Sequence, residues 1–206
     1  MRDRNRGPER NFEVVVGKVS SGDSAIRFAF VRKGTYSASQ RVRKALGASG
    51  YTDGVKVTML SDGDAGLRAI QQGVVPQAEH ILNWFHLAMR FQHVSQAANG
   101  LTDDKVQPFV KQWLRAKIDR AKWNCWNGKA VKGLRYLKDV DEWLTCSRQH
   151  DIPGLARLAT GLAVLTQYLN ANWDSLPNYG KRYRADRPIS TAPAESAVNE
   201  VIAKRW

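Results

Sequence analysis

Residues 55–85 have the sequence VKVTMLSDGDAGLRAIQQGVVPQAEHILNWF. Their first six residues, VKVTML, place apolar side chains at every second position, which predicts a strand over 55–60. The turn sequence SDGD follows, and the next segment predicts a helix over 65–73. The run AEHILNWF then predicts a buried strand over 78–85. A strand, a helix and a second strand in succession are typical of an α/β sheet.

The residues before this segment add two strands and one helix. The runs NFEVVVGKV and AIRFAFV flank the turn sequence SSGDS, and together they predict a β-hairpin. A helix opened by a serine cap is predicted over 37–49. Residues 1–10 contain four arginines and show no apolar periodicity, which predicts a disordered start. The four strands are expected to form one sheet, at residues 12–16, 26–31, 55–60 and 79–84.

Helical patterns replace the β-branched runs from residue 86 to residue 176. The four candidate helices are LAMRFQHVSQAA, DKVQPFVKQWLRAKIDRAKWNCW, AVKGLRYLKDVDEWL and LARLATGLAVLTQYLNANW. The segment NYGKRYRADRPIS, which follows Pro177, predicts a basic loop that carries aromatic side chains. A last amphipathic helix is predicted from Thr191 to Trp206.

The composition says more about the class of binding partner than about the fold. The formal net charge is +13, and a balance of this size is typical of proteins that bind polyanions, of which nucleic acid is the commonest. A membrane span would need about 20 consecutive apolar residues, and the sequence contains no such run. Cys125 and Cys146 lie far apart, so reduced thiols are expected rather than a disulfide framework or a zinc knuckle.

A strongly basic segment lies within the helical region. Residues 105–138 contain ten Lys or Arg and a single acid, Asp119, with tryptophans and a tyrosine interleaved. Cations displace counterions from phosphates and aromatic rings stack on bases, although a solvated helix face over a tryptophan-rich core would have a similar sequence. The side chains expected to contact DNA, here and in the basic loop, are Lys111, Arg115, Lys122, Lys129, Arg135, Lys181, Arg182 and Arg184.

Three side chains are candidates for chemistry. Asp62 follows the 55–60 strand, where polynucleotidyl transferases place metal-binding carboxylates, although its position alone favours a turn residue of SDGD. His86 ends the motif NWFH and would contact phosphate or a metal-bound water, or else cap the next helix. Glu195 lies in the first turn of the last helix, where the helix dipole alone would favour a carboxylate. A zinc pair of His86 and His93 would need two more ligands.

Taken together, these spaced motifs resemble the ISKra group of bacterial insertion-sequence DDE transposases. The resemblance rests on FEVVVGKV, VTMLSDGD, AEHILNWFHLAMR, KWNCWNGK and the final segment NYGKRYRADRPISTAPAESAVNEVIAKR, and it covers nearly the whole chain from about residue 11. It implies an RNase H-like α/β fold whose mixed sheet is interrupted by an all-helical insertion domain. The implied parts are a disordered start at 1–10, a first part of the core at 11–85, the helical insertion at 86–176, and a basic loop with the final core helix at 177–206.

The resemblance also implies a chemistry. Such transposases hold two Mg²⁺ or Mn²⁺ ions with two Asp and one Glu, and the matching positions in this chain are Asp62 and Glu195, with His86 beside them. The implied partners are transposon ends and target DNA, which would place the protein in the cytoplasm at the nucleoid. The oligomeric state is left open.

The sequence departs from the family at three places. The first Asp of the family lies on a strand before FEVVVG, and the nearest residue here, Asp3, lies in an arginine-rich stretch. Asn83 stands where the family usually has Asp, and the chain stops at Trp206 where the family continues. The expectation is therefore a fragment, truncated at both ends and inactive in transposition. The alternative is a non-catalytic basic DNA-binding protein.

Overall fold

A computed structural model describes most of the chain between Glu13 and Thr191. The described ranges are 13–22, 24–32, 34–102, 105–148 and 150–191. The predicted disordered start and the predicted last helix, which includes Glu195, lie outside these residues. Of the described residues, those up to 59, those at 64–79 and Thr191 form one compact unit, and those at 60–63 and 80–190 form a second.

The first unit opens with the predicted hairpin. Strands β1 (Val14–Ser21) and β2 (Ser24–Val31) pair antiparallel, with Val14 opposite Val31 and Ser21 opposite Ser24. Gly22 takes a positive φ of 54° in the turn, as a two-residue hairpin loop requires. A Cβ atom at Gly17 would lie 2.3 Å from Cζ of Phe28, so the ring of Phe28 fills the space over that glycine. The hairpin is thus confirmed.

Two helices cover this hairpin. Helix α1 (Thr35–Ala48) begins two residues before the predicted start and carries no side-chain cap, so the predicted serine cap is wrong. Helix α2 (Ala65–Val74) is capped by Asp64, whose side chain accepts a hydrogen bond from the Leu67 amide. The two helices are joined where the Ser39 hydroxyl donates to the carbonyl of Ile70 at 3.0 Å.

The remaining strands form a pair of their own. In strands β3 (Thr58–Ser61) and β4 (Glu79–Leu82), the Glu79 amide donates to Val57 and the Asn83 amide donates to Ser61. The two hydrogen bonds join residues with the same offset, which makes the pairing parallel. The prediction of one sheet is wrong for the described residues, which form two sheets of two strands. Alternation along a strand fixes which side chains are buried, but it does not fix which strand becomes the neighbour.

The second unit is built mainly from helices. Their bounds are α3 (Trp84–Asn99), α4 (Pro108–Trp126), α5 (Ala130–Ser147), α6 (Leu155–Ala171) and α7 (Tyr179–Arg184). A 3₁₀ turn at Trp173–Ser175 precedes α7. The helical character predicted for 86–176 is confirmed, and the chain is of mixed α/β class. Two details are corrected: β4 ends at Leu82 rather than at residue 84, and the predicted basic loop contains α7.

Close packing of α4 against α5 organises the core of the second unit. A Cβ atom at Gly133 would lie 3.0 Å from both the Ala121 carbonyl oxygen and Sγ of Cys125, so the helices approach to a distance that only glycine allows. Leu114, Ile118, Leu137 and Val140 are all buried at this seam, as i, i+3 and i+4 spacing predicts.

Candidate nucleic-acid interface

The carboxyl ends of β3 and β4 lie side by side in the second unit. Asp62 directly follows β3 and Asn83 directly follows β4, and the Asn83 amide donates to the Ser61 carbonyl at 2.8 Å. Because parallel neighbours end at the same edge of a sheet, the two predicted motifs SDGD and NWFH meet at that edge. The sequence placed each motif at the end of a strand, but it did not show that the two strands are neighbours.

Asp62 is anchored to helix α6. The hydroxyl of Tyr168 donates to the backbone carbonyl of Asp62 at 2.5 Å. The guanidinium of Arg90 lies 3.9 Å from the centre of the Tyr168 ring. Burial raises the pKa of Tyr168, the neighbouring Arg90 lowers it, and the Asp62 carboxylate raises it again, with a net rise. Arg90, a cation that the sequence did not single out, and Asp62 therefore both act on the Tyr168 hydroxyl.

The motif NWFH opens helix α3 rather than ending a strand. The side chain of Asn83 is fully buried and accepts a hydrogen bond from the Phe85 amide, so Asn83 is the N-cap. The alternative in which His86 caps this helix is therefore wrong. His86 is half-buried in the first turn of α3, and His93 is exposed further along the same helix.

An aromatic cluster holds α7 against α3 and α4. The ring of Trp84 lies 4.9 Å from those of both Trp126 and Tyr179, measured between centroids. A Cβ atom at Gly180 would lie 2.7 Å from Nε1 of Trp126, so glycine at this position admits the indole. The outer members of the cluster face solvent: Trp123 and Tyr183 are 53% and 66% exposed. The tryptophans of this cluster therefore differ in exposure: Trp84 and Trp126 pack in its interior, whereas Trp123 lies largely in solvent.

The structure separates the predicted DNA-contacting residues into three groups. Lys111, Arg115 and Lys122 share one face of α4, as their spacing of four and seven residues requires. Lys129 and Arg135 lie at the start of α5. Lys181 and Arg184 are exposed on α7, and the side chain of Asn178 just before α7 donates to the Asn127 carbonyl at 2.9 Å, which joins α7 to the turn before α5.

Arg182 does not belong with the surface cations. It is 8% exposed, and its Nε donates to the Pro188 carbonyl at 3.3 Å, so it fastens the segment after α7. Sequence alone did not show which of the three cations of this short helix was buried.

Most of the other cations keep their charge uncompensated. Within the described ranges, Lys117 pairs with Asp139 and Lys138 pairs with Glu142 at 3.6 Å. Among those same residues, no carboxylate lies within ion-pair distance of Arg115, Lys122, Lys129, Lys132, Arg135, Lys181 or Arg184. The Lys122 ammonium instead lies 5.6 Å from the ring of Trp123. The helical unit therefore carries excess positive charge beside exposed aromatic rings.

The described residues do not by themselves fit a two-metal centre. No three His, Cys, Asp or Glu side chains converge in the part of the chain that the structure describes. Asp62 supplies a carboxylate at the strand edge, while the Asn83 amide oxygen is engaged in capping α3. Glu195, the second predicted ligand, lies outside the described residues. A magnesium site needs several oxygen ligands of this kind, so Asp62 alone is too few.

Among the described residues, every helix is too short or too polar to cross a lipid bilayer. Comparison with models of protein families, with curated proteins and with solved structures gave no match to this chain.

Proposed function

We propose that this chain binds DNA through the basic surface of its helical unit. The observation that carries the proposal is the set of cations on α4, α5 and α7 that lack carboxylate partners among the described residues. An uncompensated cation gains most when it meets a phosphate, because each such contact releases condensed counterions from the nucleic acid. Exposed aromatic rings beside these cations, Trp123 and Tyr183, add a surface on which bases can stack.

We test this proposal with the salt dependence of duplex binding. Fluorescence anisotropy of the full chain with a labelled duplex of mixed sequence is measured between about 50 and 200 mM salt, a range over which five phosphate contacts should cost about 250- to 1,000-fold in affinity. Contacts by Lys111, Arg115, Lys122, Lys129 and Arg135 are expected to give a slope of about −4 to −5 in log K against log salt. A flat salt response contradicts the proposal.

A matched pair of triple variants locates the surface. Replacing Lys111, Arg115 and Lys122 by alanine is expected to make the slope shallower by about 2.7, since each phosphate contact contributes about −0.9. The control replaces Lys18, Lys44 and Lys56, three exposed lysines of the first unit, and removes the same formal charge. Equal losses in both variants would mean that net charge alone attracts DNA and that this face of α4 has no special role.

We infer further that the chain is a DDE transposase fragment with an RNase H-like core. The motif resemblance supports this, and so does the meeting of Asp62 with the Asn83–His86 motif at the carboxyl edge of parallel strands. In the transposase family that the sequence resembles, a further strand carries the first Asp and is central in the sheet.

The transposase hypothesis requires Mg²⁺ or Mn²⁺ and is tested by strand cleavage. Purified chain is incubated with either metal and the terminal DNA of the insertion element, and wild type is compared with Asp62→Asn. No cleavage is expected, because Asp62 is not joined by two further potential metal ligands among the described residues, which is too few for a two-metal centre. Cleavage that the Asp62→Asn change abolishes would instead assign Asp62 to the catalytic centre. Metal-independent, salt-sensitive binding alone would favour the non-catalytic DNA-binding alternative.

A further inference from the structure

A cleft opens at the start of α5 in the helical unit. Its volume is about 550 Å³, within the range of about 300–1,000 Å³ that is usual for small-ligand sites. One wall is formed by the first turns of α5 and the other by the segment around the 3₁₀ turn that contains Trp173 and Leu176. The site lies within one compact unit, so its shape is fixed by the packing of α4, α5 and the segment before α7.

The charge of this cleft favours an anion. Three cations line it, Lys129, Lys132 and Arg135, and all three are exposed without a carboxylate partner among the described residues. The lining contains one acid, Asp139, whose carboxylate pairs with Lys117 on α4. Because Asp139 is already paired with Lys117, the three cations can act together on a ligand that carries phosphate.

The remaining lining favours a flat, aromatic group beside the phosphate. Trp173 is 40% exposed although it follows a helix whose leucines are buried, and Tyr136 lines the same cleft from α5. A large indole left half in solvent on a cleft wall exposes apolar surface that stacking would cover. Cations and an aromatic ring in a cleft of this volume match the two halves of a nucleotide.

We propose that this cleft holds one unpaired nucleotide of a DNA strand, with its phosphate among Lys129, Lys132 and Arg135 and its base against Trp173. The inference rests on the proposed DNA-binding function and adds a discrete site to it. A strand is favoured over a free nucleotide because Asn178, just before α7, bonds to the Asn127 carbonyl and packs against Gly128 of the cleft lining, so the exposed cations that follow on α7 can hold a flanking phosphate. A duplex would have to release the nucleotide from its stack, at a cost of a few kcal/mol, so single-stranded or mismatched DNA is the expected ligand.

The test uses the full chain and a single-stranded oligonucleotide that contains one 2-aminopurine. Stacking of that base on Trp173 is expected to quench its fluorescence. Trp173→Leu should abolish the quenching and weaken single-strand binding by about 5- to 100-fold, the loss typical of one base–aromatic stack. The control is Tyr36→Leu, which removes an exposed aromatic side chain of the first unit, outside the cleft lining and outside the proposed DNA-binding surface. Circular dichroism of each variant checks that the helices are retained.

A second variant keeps the test independent of the tryptophan. Lys132→Ala with Arg135→Ala should weaken single-strand binding, whereas Lys138→Ala, on the same helix but outside the cleft lining, should not. If duplex DNA binds but the cleft variants behave as wild type, the nucleotide site is wrong and the proposed function stands. If no DNA binds at all, the proposed function fails first. If dAMP competes as strongly as the oligonucleotide, the cleft is a free-nucleotide site and the strand assignment is overturned.

Discussion

Replacing Tyr179 with phenylalanine tests the link between α7 and the end of β4. Tyr179 has no exposed surface, and its hydroxyl donates to the Leu82 carbonyl at 2.8 Å. The Tyr179→Phe variant retains the ring, which lies 4.9 Å from Trp84 between centroids, and removes only the hydroxyl. The buried Leu82 carbonyl would then lose this donor, which costs about 1–3 kcal/mol.

Thermal unfolding followed by circular dichroism measures this loss. At about 2–4 °C per kcal/mol for a chain of this size, Tm should fall by about 2–12 °C. Tyr183→Phe is the matched control, because Tyr183 lies on the same helix and is 66% exposed. A Tyr179→Phe variant with the Tm of wild type would show that the hydrogen bond does not contribute and that the ring alone anchors α7.

The pH dependence gives this prediction a second signature. Burial raises the pKa of Tyr179 above its usual value. The unfolded chain therefore releases the phenolic proton first as the pH rises past about 10, and it binds fewer protons than the folded chain. The stability that Tyr179 contributes is present below this pH and is lost progressively above it. The difference in stability between wild type and Tyr179→Phe should therefore shrink with increasing alkalinity, and a constant difference would contradict the assigned cause.

Three further experiments test the packing within each unit. Gly133→Ala should lower the free energy of unfolding by about 1–3 kcal/mol, because the new methyl group would meet Ala121 and Cys125 at 3.0 Å. Gly161→Ala on α6 is its control in urea unfolding: with its nearest neighbour, Val94, at 3.7 Å, it should stabilise by about 0.5–1 kcal/mol. Asp64→Ala removes the cap of α2 and should cost about 0.5–2 kcal/mol, whereas Asp64→Asn should retain most of it. Burial raises the pKa of Cys125 to about 12 while Cys146 is exposed, so at pH 8 a thiol reagent should titrate one cysteine in native protein and two in denaturant. Two reactive thiols in the native protein would show that α4 and α5 separate readily.

Local patterns predicted the elements of the fold well and their partners less well. The β1–β2 hairpin and the four long helices follow from periodicity and turn residues that lie within a few positions of each other in the sequence. The pairing of β3 with β4, and its separation from β1–β2 in the described residues, depends on contacts between distant segments. The predicted helix starts were wrong for a related reason. Gly34 rather than a serine precedes α1, and Asn83, which directly follows β4, caps α3.

The candidate site was predictable in its charge but not in its geometry. The strongly basic segment at 105–138 correctly indicated a helical region with excess positive charge. It did not indicate that Arg182 is buried, or that Trp173, which lies outside that segment, joins Lys132 and Arg135 in one cleft. Arg90 and Tyr168 were missed for the same reason: Tyr168 contacts Asp62 from 106 residues away, and Arg90 contacts Tyr168 from 78 residues away (168 − 90), so neither contact has a local signal.

The helical unit holds the strand ends by bonds to their backbone. Tyr168 of α6 donates to the Asp62 carbonyl, and Tyr179 of α7 donates to the Leu82 carbonyl. The amide of Trp84 in α3 donates to the Ile189 carbonyl beyond α7. These bonds explain why the compact unit begins with residues 60–63 and with residue 80, rather than at residue 86 as the pattern of helices predicted. Asp62 and the cleft at α5 therefore belong to the same compact unit, so DNA bound in the cleft as proposed would be held at a fixed position relative to the ends of β3 and β4.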